Sequence, residues 1–528
     1  MADIDINDVG VPGVVQDTPA YQMEPEAWTT ALNMRCRDGG MVSIPGWASI
    51  FGTPSVAPHF AMPVVSISQV FWLYMSLTKA YVWDGSSHSN ITRQTASADV
   101  DYTTGNGRDI NGTLFAGIPI LNTGSDDPQY WSDYVTTTKL QALPNWPANS
   151  TIKCLRSFGA YLVGINYYNG TNNYPHLVKW SSSASGAGTL PQSWDETDAT
   201  LDTGEYDLPD VNSGILQEAM QLGAKLMLYK EQSMWSMRYI GGRPIFAFDT
   251  FSDVVGILAP RCVTPTGDGK KHVMATQDDI VIHDGNSPPT SLLNKRMRRS
   301  LFQNIDTQNY KNSFMFTDYI NTEIYFCYPE QGQEFATRAL IFNYRTGALT
   351  EMDGVTFRNA TVGQVEDEDT ETWDTGTDTW EEDTGPWSSQ ERRQLVLCDP
   401  TNTKLHKTST STYTRDGVSY SSTLQRTGLA LIGKKRNGEW IVNHEIMKFV
   451  DRMWPKVQGG PVQIRVGSQM TVDGTVTWGP YQTFSPGTDV AVDIAVSARA
   501  VAVEFRMQTT GDWRLDGYRL SITPDGHY

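Results

Sequence analysis

Seven times along this 528-residue chain, a short apolar run is followed by a turn and a second short run that ends in polar turn residues. Phe71-Trp72-Leu73-Tyr74 precedes Ala80-Tyr81-Val82-Trp83 and then Asp84-Gly85. The same hairpin text recurs at Thr113–Gly117 with Gln129–Trp131, Ala160–Gly164 with His176–Trp180, and Lys225–Tyr229 with Ser233–Met237. It recurs again at His272–Thr276 with Asp279–Gly285, Glu323–Cys327 with Ala339–Asn343, and Gln394–Cys398 with Lys404–His406. Runs this short, rich in β-branched and aromatic residues and bounded by Gly, Asn, Asp and Pro, are strands. Their starts near 71, 113, 160, 225, 272, 323 and 394 give gaps of 42, 47, 65, 47, 51 and 71 residues. Four of the six gaps match the roughly 40–50-residue period of a propeller blade. The two long gaps hold insertions, Ser181–Gly188 with the Asp/Thr-rich stretch after it, and an acidic segment at 366–383. The pattern predicts an all-β fold with a β-propeller of six or seven blades over 56–414. An irregular array of β-sandwiches is the plainer alternative, and the propeller is preferred because radial repetition protects strand edges.

The periodicity then changes. Val462–Gly467, Val490–Ile494, Ala500–Arg506 and Arg514–Ile522 alternate apolar and polar residues, the pattern of sheets with one wet face. This predicts a separate C-terminal β-sandwich over 415–528. Residues 1–55 are expected to pack as an N-terminal segment on the core or on a neighbouring subunit. Helical periodicity is rare, the best candidate being Ser291–Ile305, with Leu292, Leu293, Leu301 and Ile305 apolar.

Composition narrows the function classes. Apolar residues at 39% and charged residues at 19% give a chain that can bury a core. A net charge of −18 argues against a protein that grips nucleic acid with a broad basic face. No stretch approaches the ~18 continuous apolar residues of a membrane span. The acidic start Met1-Ala2-Asp3-Ile4-Asp5 lacks the order of a signal peptide, and Cys36, Cys154, Cys262, Cys327 and Cys398 are odd in number with no CxxC pair. The chain is therefore expected to fold in a cytoplasm with reduced thiols, so that sequons such as Asn90-Ile91-Thr92 carry no glycan.

Motifs for chemistry are scarce. The chain has no GxSxG and no P-loop, and His444–Lys448 begins an HExxH and fails at its last position. His59, His88, His272 and His283 read as ordinary strand or loop residues, so neither a metal nor another cofactor is expected, and no enzyme. Abundant carboxylates leave a glycosidase-type pair open. Thr471–Trp478 resembles the Asp-box turn of sialidase-type propellers, with its Gly474 one position early; a plain Asp473-Gly474 hairpin accounts for it. The acidic insertion at about 362–392 is the most unusual segment. It holds ten Asp/Glu between 366 and 383 with no Lys or Arg, and Trp373, Trp380 and Trp387 recur every seven residues. Like charges extend such a loop, while the tryptophans suit a projecting arm that docks on a neighbour or partner. Calcium is a lesser alternative, since the spacing is not that of an EF-hand. Two basic clusters oppose the general acidity: Lys295, Arg296, Arg298 and Arg299 on the helical candidate, and Lys434, Lys435 and Arg436 at an expected hairpin tip. Solvated faces or salt bridges explain both; transient contact with DNA phosphates in a channel is the functional alternative.

The N-terminus is more specific. Asn7-Asp8-Val9-Gly10-Val11-Pro12-Gly13-Val14 is followed by Pro25–Trp28, by Asn33-Met34-Arg35-Cys36-Arg37-Asp38-Gly39 and by Ile44-Pro45-Gly46. This opening resembles the tail hub or nozzle proteins of short-tailed (podovirus) bacteriophages, the packaged-DNA stabilisation and tail tubular B family. Val255–Val263, Val273–Thr276 and Ile280–Gly285 agree in kind, as do Val466–Gln469, Asp473-Gly474, Trp478–Tyr481 and Trp513–Tyr518. The resemblance implies a structural, non-enzymatic virion protein made and assembled in the host cytoplasm. It implies a homo-oligomer, a hexameric ring, below the portal and the tail adaptor or head–tail connector. That ring would extend the DNA exit channel, retain the packaged genome and carry a fibre, spike or needle. Double-stranded DNA would pass without sequence-specific binding, an acidic wall letting it slide. Trp28, Arg35, Arg37 and Asp38, in the most family-like stretch, are expected to make fold or subunit contacts. A virion-associated glycan-degrading propeller and a non-catalytic receptor-binding tail component are the alternatives.

Overall fold

A computed structural model describes residues 2–66, 69–198, 200–242, 244–294, 296–365, 393–408, 411–435, 438–471, 474–509 and 511–525. Its seven blades each pair four antiparallel strands in sequence order, with one exception in blade seven. Blade one comprises Phe60–Val65, Val70–Met75, Ala80–Trp83 and His88–Asn90. Blades two to six begin with Asn111–Phe115, Thr151–Phe158, Leu216–Leu222, Val263–Pro265 and Phe314–Asp318. Blade seven takes Asn359–Gln364, Arg393–Asp399 and Lys404–Thr408 in order, and its outer strand is Trp47–Ile50, far upstream. Thr408 lies opposite Trp47 and Leu405 opposite Ile50, so the N-terminal segment closes the ring. First strands of neighbouring blades pack on one another, from blade seven through one, two and three to four, and from five through six to seven. They surround the central axis.

The hairpins read as continuous apolar runs because the second strand of a blade is buried on both faces. In blade one, Phe71, Leu73 and Met75 pack with Leu121 and Trp131 of blade two. Trp72 and Tyr74 point the other way, onto Val396, Cys398 and Leu405 of blade seven. Blade six repeats the device: Ile324, Phe326 and Tyr328 face one core, and Tyr325 and Cys327 face Leu395 and Leu397. Period-two geometry still holds, but both faces meet a neighbouring blade instead of one meeting water. All five cysteines are buried free thiols.

The sandwich departs from the expectation of a separate unit over 415–528. One sheet joins Trp513–Pro524, Lys448–Gly459 and Val492–Ala498 to the N-terminal strands Ala2–Asn7, Met34–Arg37 and Gly40–Ser43. The other joins Ser422–Leu429, Ala500–Met507 and Val462–Gln469, and runs through Thr30–Leu32 into Leu349–Met352 of blade six. The second sheet is therefore continuous with the propeller, and the N-terminal segment supplies strands to both sheets and to blade seven. Trp28 sits at the sandwich core, its indole N–H donating to the Val9 carbonyl at 2.7 Å, edge-on to Phe505 with ring centroids 6.2 Å apart. Chain crossings here are tight. A Cβ on Gly10 would lie 2.2 Å from the Gly40 carbonyl oxygen, and one on Gly46 only 1.8 Å from that of Thr414.

The helical candidate is also shorter than its periodicity suggests. Thr290–Ser291 is the outer strand of blade five, and only Arg298–Asn304 is helical. Helix geometry begins where the Asp17 carboxylate accepts the N–H groups of Arg299 and Ser300, at 2.6 and 2.9 Å.

Candidate functional site

The residues singled out in sequence do not meet at one place. Trp28 and Arg35 are buried and make contacts within the fold. Arg35 reaches Glu323 of blade six at 3.4 Å and donates to the Tyr325 hydroxyl at 3.3 Å. Burial alone would lower its pKa; Glu323, Tyr325 and Asp318 reverse that and hold it raised. Arg37 and Asp38 are exposed where Met34–Arg37 turns into Gly40–Ser43. Lys434 and Lys435 are exposed at the turn end of the small hairpin Leu431–Lys434 and Trp440–Val442, with Lys434 over the Trp440 ring and Lys435 paired to Glu439. Arg296 turns inward and donates to the carbonyls of Gly347 and Leu292, at 2.7 and 2.9 Å. Arg298 pairs with Asp278, and Arg299 is exposed. Arg296 and Arg298 thus serve as structural ties. Lys295, Arg436, Asp473, Trp373, Trp380 and Trp387 lie outside the described residues. The acidic insertion leaves blade seven after its first strand, Asn359–Gln364, and returns at Arg393.

A different set of cations converges at the mouth of the ring, where the first strands begin. A cavity of about 110 Å³ there is lined by Arg108, Lys153, Arg261 and Lys311, with Asp109 and Glu218 as its carboxylates. A smaller recess of about 10 Å³ adjoins it, sharing Arg108 and Arg261 and adding His59 and Arg358. Both carboxylates are already satisfied. Asp109 pairs with Lys153 at 3.2 Å and Arg108 at 3.5 Å. Glu218 takes Arg156 at 2.6 Å and the N–H groups of Ala219 and Arg261 at 3.0 and 3.1 Å.

Arg261, Lys311 and Arg358 have no carboxylate within ion-pair distance among the described residues. Arg261 donates one N–H to the Arg358 carbonyl at 3.3 Å, and its buried Nε has no partner. Its backbone is left-handed at φ 64°, a conformation that costs a non-glycine residue about 1 kcal/mol or more. Two ties hold it there: its N–H to Glu218, and the Met315 N–H donating to its carbonyl at 2.8 Å. Arg358 stacks on the Phe335 ring. Burial lowers the pKa of both arginines, while a guanidinium still keeps its proton at neutral pH. His59 registers the resulting field. Burial first, then Arg358 and Arg261, push its pKa down to about 4, so the imidazole stays neutral at pH 7.

These residues are scattered singly through the chain, so no basic run announces them. Their common signal is phase: His59, Arg108, Arg261, Lys311 and Arg358 each fall one to three residues before the first strand of a blade. Elsewhere, Tyr229 links His272 at 2.6 Å to His283 at 3.1 Å in a buried interblade network. Among the described residues no group of His, Cys, Asp and Glu is placed to hold a metal ion, and no helix is long and apolar enough to cross a membrane.

No family model matches the chain, and no curated protein matches it. Solved structures that it is similar to are propellers at low similarity. The AfRom2 CNH domain has 8% identity and a TM-score of 0.33, covering 69% of this chain and 97% of that one. The β-propeller domain of Cps50 (Swd1), printed as from Myceliophteria thermophila, has 9% identity and a TM-score of 0.29, covering 54% and 80%. BBS1N, in a complex with ARL6DN soaked with lead, has 8% identity and a TM-score of 0.36, covering 70% and 98%. The blade assignment rests on this chain's own strand pairing.

Proposed function

We propose that the chain is a structural subunit of a short bacteriophage tail, a hub or nozzle protein that assembles as a ring below the portal and adaptor. One observation carries the reading. The residues that resemble that family are those on which this architecture depends: Gly10 and Gly46 at chain crossings, Trp28 in the sandwich core, Asn33 and Arg35 at the join with the propeller. Asn33 donates to Asp353 at 2.9 Å and to the Ser421 carbonyl at 2.7 Å, tying the end of blade six to the entry of the sandwich. The likeness therefore falls on the wiring that fuses three segments into one body, which is what a structural family would share.

A closed ring of identical subunits needs two different patches on each. One candidate is the aromatic edge of blades three and four, where Tyr206 stacks on Phe248 with centroids 4.4 Å apart and Tyr239 is 60% exposed. In this reading the chain retains the packaged genome, carries distal tail parts and does no chemistry. Imaging intact virions with antibody against the exposed hairpin at Arg37–Asp38 tests it. Label at the far end of a short tail supports the nozzle; absence of the chain from virions, or label on the capsid shell, overturns it. Sugar released from host polysaccharide by the purified chain would favour the glycan-degrading alternative.

A further inference from the structure

We propose that the propeller mouth is a binding site for a phosphate-class oxyanion, held in the larger cavity by Arg261 and Lys311, with Arg358 adding its charge from the adjoining recess. The inference does not depend on the tail reading, since it uses only the geometry of the ring axis.

Five cationic side chains line the two adjoining cavities against two carboxylates, in a chain whose net charge is −18. A protein with so many acids has carboxylates to spare for neutralising a structural arginine. It does so for Arg156 with Glu218 and for Lys153 with Asp109. At the mouth it leaves three cations from three different connections without an ion pair among the described residues: Arg261 before blade five, Lys311 before blade six and Arg358 before blade seven. An uncompensated, partly buried cation is unfavourable, and so is a left-handed arginine. Both occur at Arg261, whose buried Nε is an unused donor.

The size and shape select the ligand. About 110 Å³ admits one compact polyatomic ion and not a base or a sugar ring. Donors brought in by separate connections suit a tetrahedral oxyanion with acceptors in every direction, whereas a planar carboxylate is matched by the fork of a single arginine. Lys311 adds a mobile point charge with three donors to the Arg261 guanidinium fork, and Arg358 lends its charge from the adjoining recess. His59 stays neutral beside them, so it adds no competing charge at pH 7.

The shared chemistry is the phosphate group, free or as a monoester whose remainder stays outside the cavity. Isothermal titration of the purified full chain tests it, with inorganic phosphate and glycerol 3-phosphate as separate ligands and chloride at matched ionic strength as control. The expected result is saturable one-site binding of at least one phosphate compound and none of chloride. Binding of both identifies the group itself; binding of inorganic phosphate alone identifies the free ion; binding of the ester alone identifies an ester ligand. Lys311→Gln is expected to weaken binding roughly tenfold or more, the loss of one charge-assisted hydrogen bond, and Arg358→Gln to weaken it by less, the loss of a neighbouring charge. Arg238→Gln, a surface change on blade four outside these cavities, leaves it unaltered. Heat no greater than chloride's in the unaltered protein overturns the proposal, and so does affinity retained in the Lys311→Gln/Arg358→Gln double variant.

Discussion

Two groups of arginines in this molecule are treated in opposite ways. At the join between propeller and sandwich, Arg35 meets Glu323 at 3.4 Å and Arg415 meets Asp353 at 3.0 Å, with Arg415 also donating to Asn33 at 2.8 Å. At the propeller mouth, Arg261 and Arg358 line adjoining cavities with no carboxylate of the described residues within ion-pair distance of either. The join is held by matched charge, so its arginines belong to the fold. The mouth concentrates unmatched charge on a strained backbone, so its arginines favour something that the chain does not itself provide.

Breaking a matched pair has the largest expected effect. Arg35→Met leaves Glu323 buried without its partner, and is expected to destabilise the fold by about 3–5 kcal/mol in denaturant unfolding. Adding Glu323→Gln to it is expected to recover much of that loss, because an unpaired charge and not an empty volume causes it. If the double variant is no better than the single, the pair is not what holds the join.

The histidines sharpen the contrast through pH. His59 at the mouth, with its pKa near 4, and the buried His272 and His283, near 3 and 4, resist protonation when folded. For His59 and His272 the causes after burial are neighbouring cations and the other histidine; for His283 it is burial. In the unfolded chain they take up protons near 6.5. Stability contributed by the neutral imidazoles is therefore present above pH 6.5 and lost as pH falls from 6.5 toward 4. A falling unfolding midpoint over that window is expected. In His59→Gln the loss between pH 7 and 5.5 should shrink by about 1 kcal/mol, allowing for partial solvent screening at the mouth. An unchanged pH profile would show that burial and the neighbouring arginines do not hold His59 neutral.

The smallest effect belongs to the unmatched group. Lys311→Gln removes a cation that no carboxylate needs, and its unfolding free energy is expected to stay within about 0.5 kcal/mol of the parent. A loss comparable with that of Arg35→Met would mean that Lys311 is part of the fold after all.

Much of the propeller was legible in the sequence, because burying both faces of each second strand leaves an apolar run that turn residues delimit. Six of the seven runs begin within two residues of a second strand, and the run at Thr113 falls on the first strand of blade two. The alternating C-terminal strands were legible for the opposite reason, having one wet face. The interleaving of the N-terminal segment was not. Thr30–Leu32 pairs with residues near 351 and 425, and such long-range pairing leaves no local trace. The mouth was illegible as a cluster because its cations are neighbours only after the ring has closed. The basic run at 295–299 misled for the complementary reason: residues adjacent in sequence diverge, Arg296 toward the Gly347 carbonyl and Arg298 toward Asp278.

The closure of blade seven by Trp47–Ile50 also sets a timetable for biosynthesis. That strand is translated before any complete blade exists, and its partner Lys404–Thr408 emerges only after six blades have been made. Until then the first and last blades each keep an unsealed flank, and nothing locks the circle. The join must cross a contact of very long sequence separation, which slows folding and prolongs exposure of sticky strand edges. The nascent chain therefore has to keep an early strand available for a late appointment, and a ribosome that stalls within blade seven releases a ring that cannot shut.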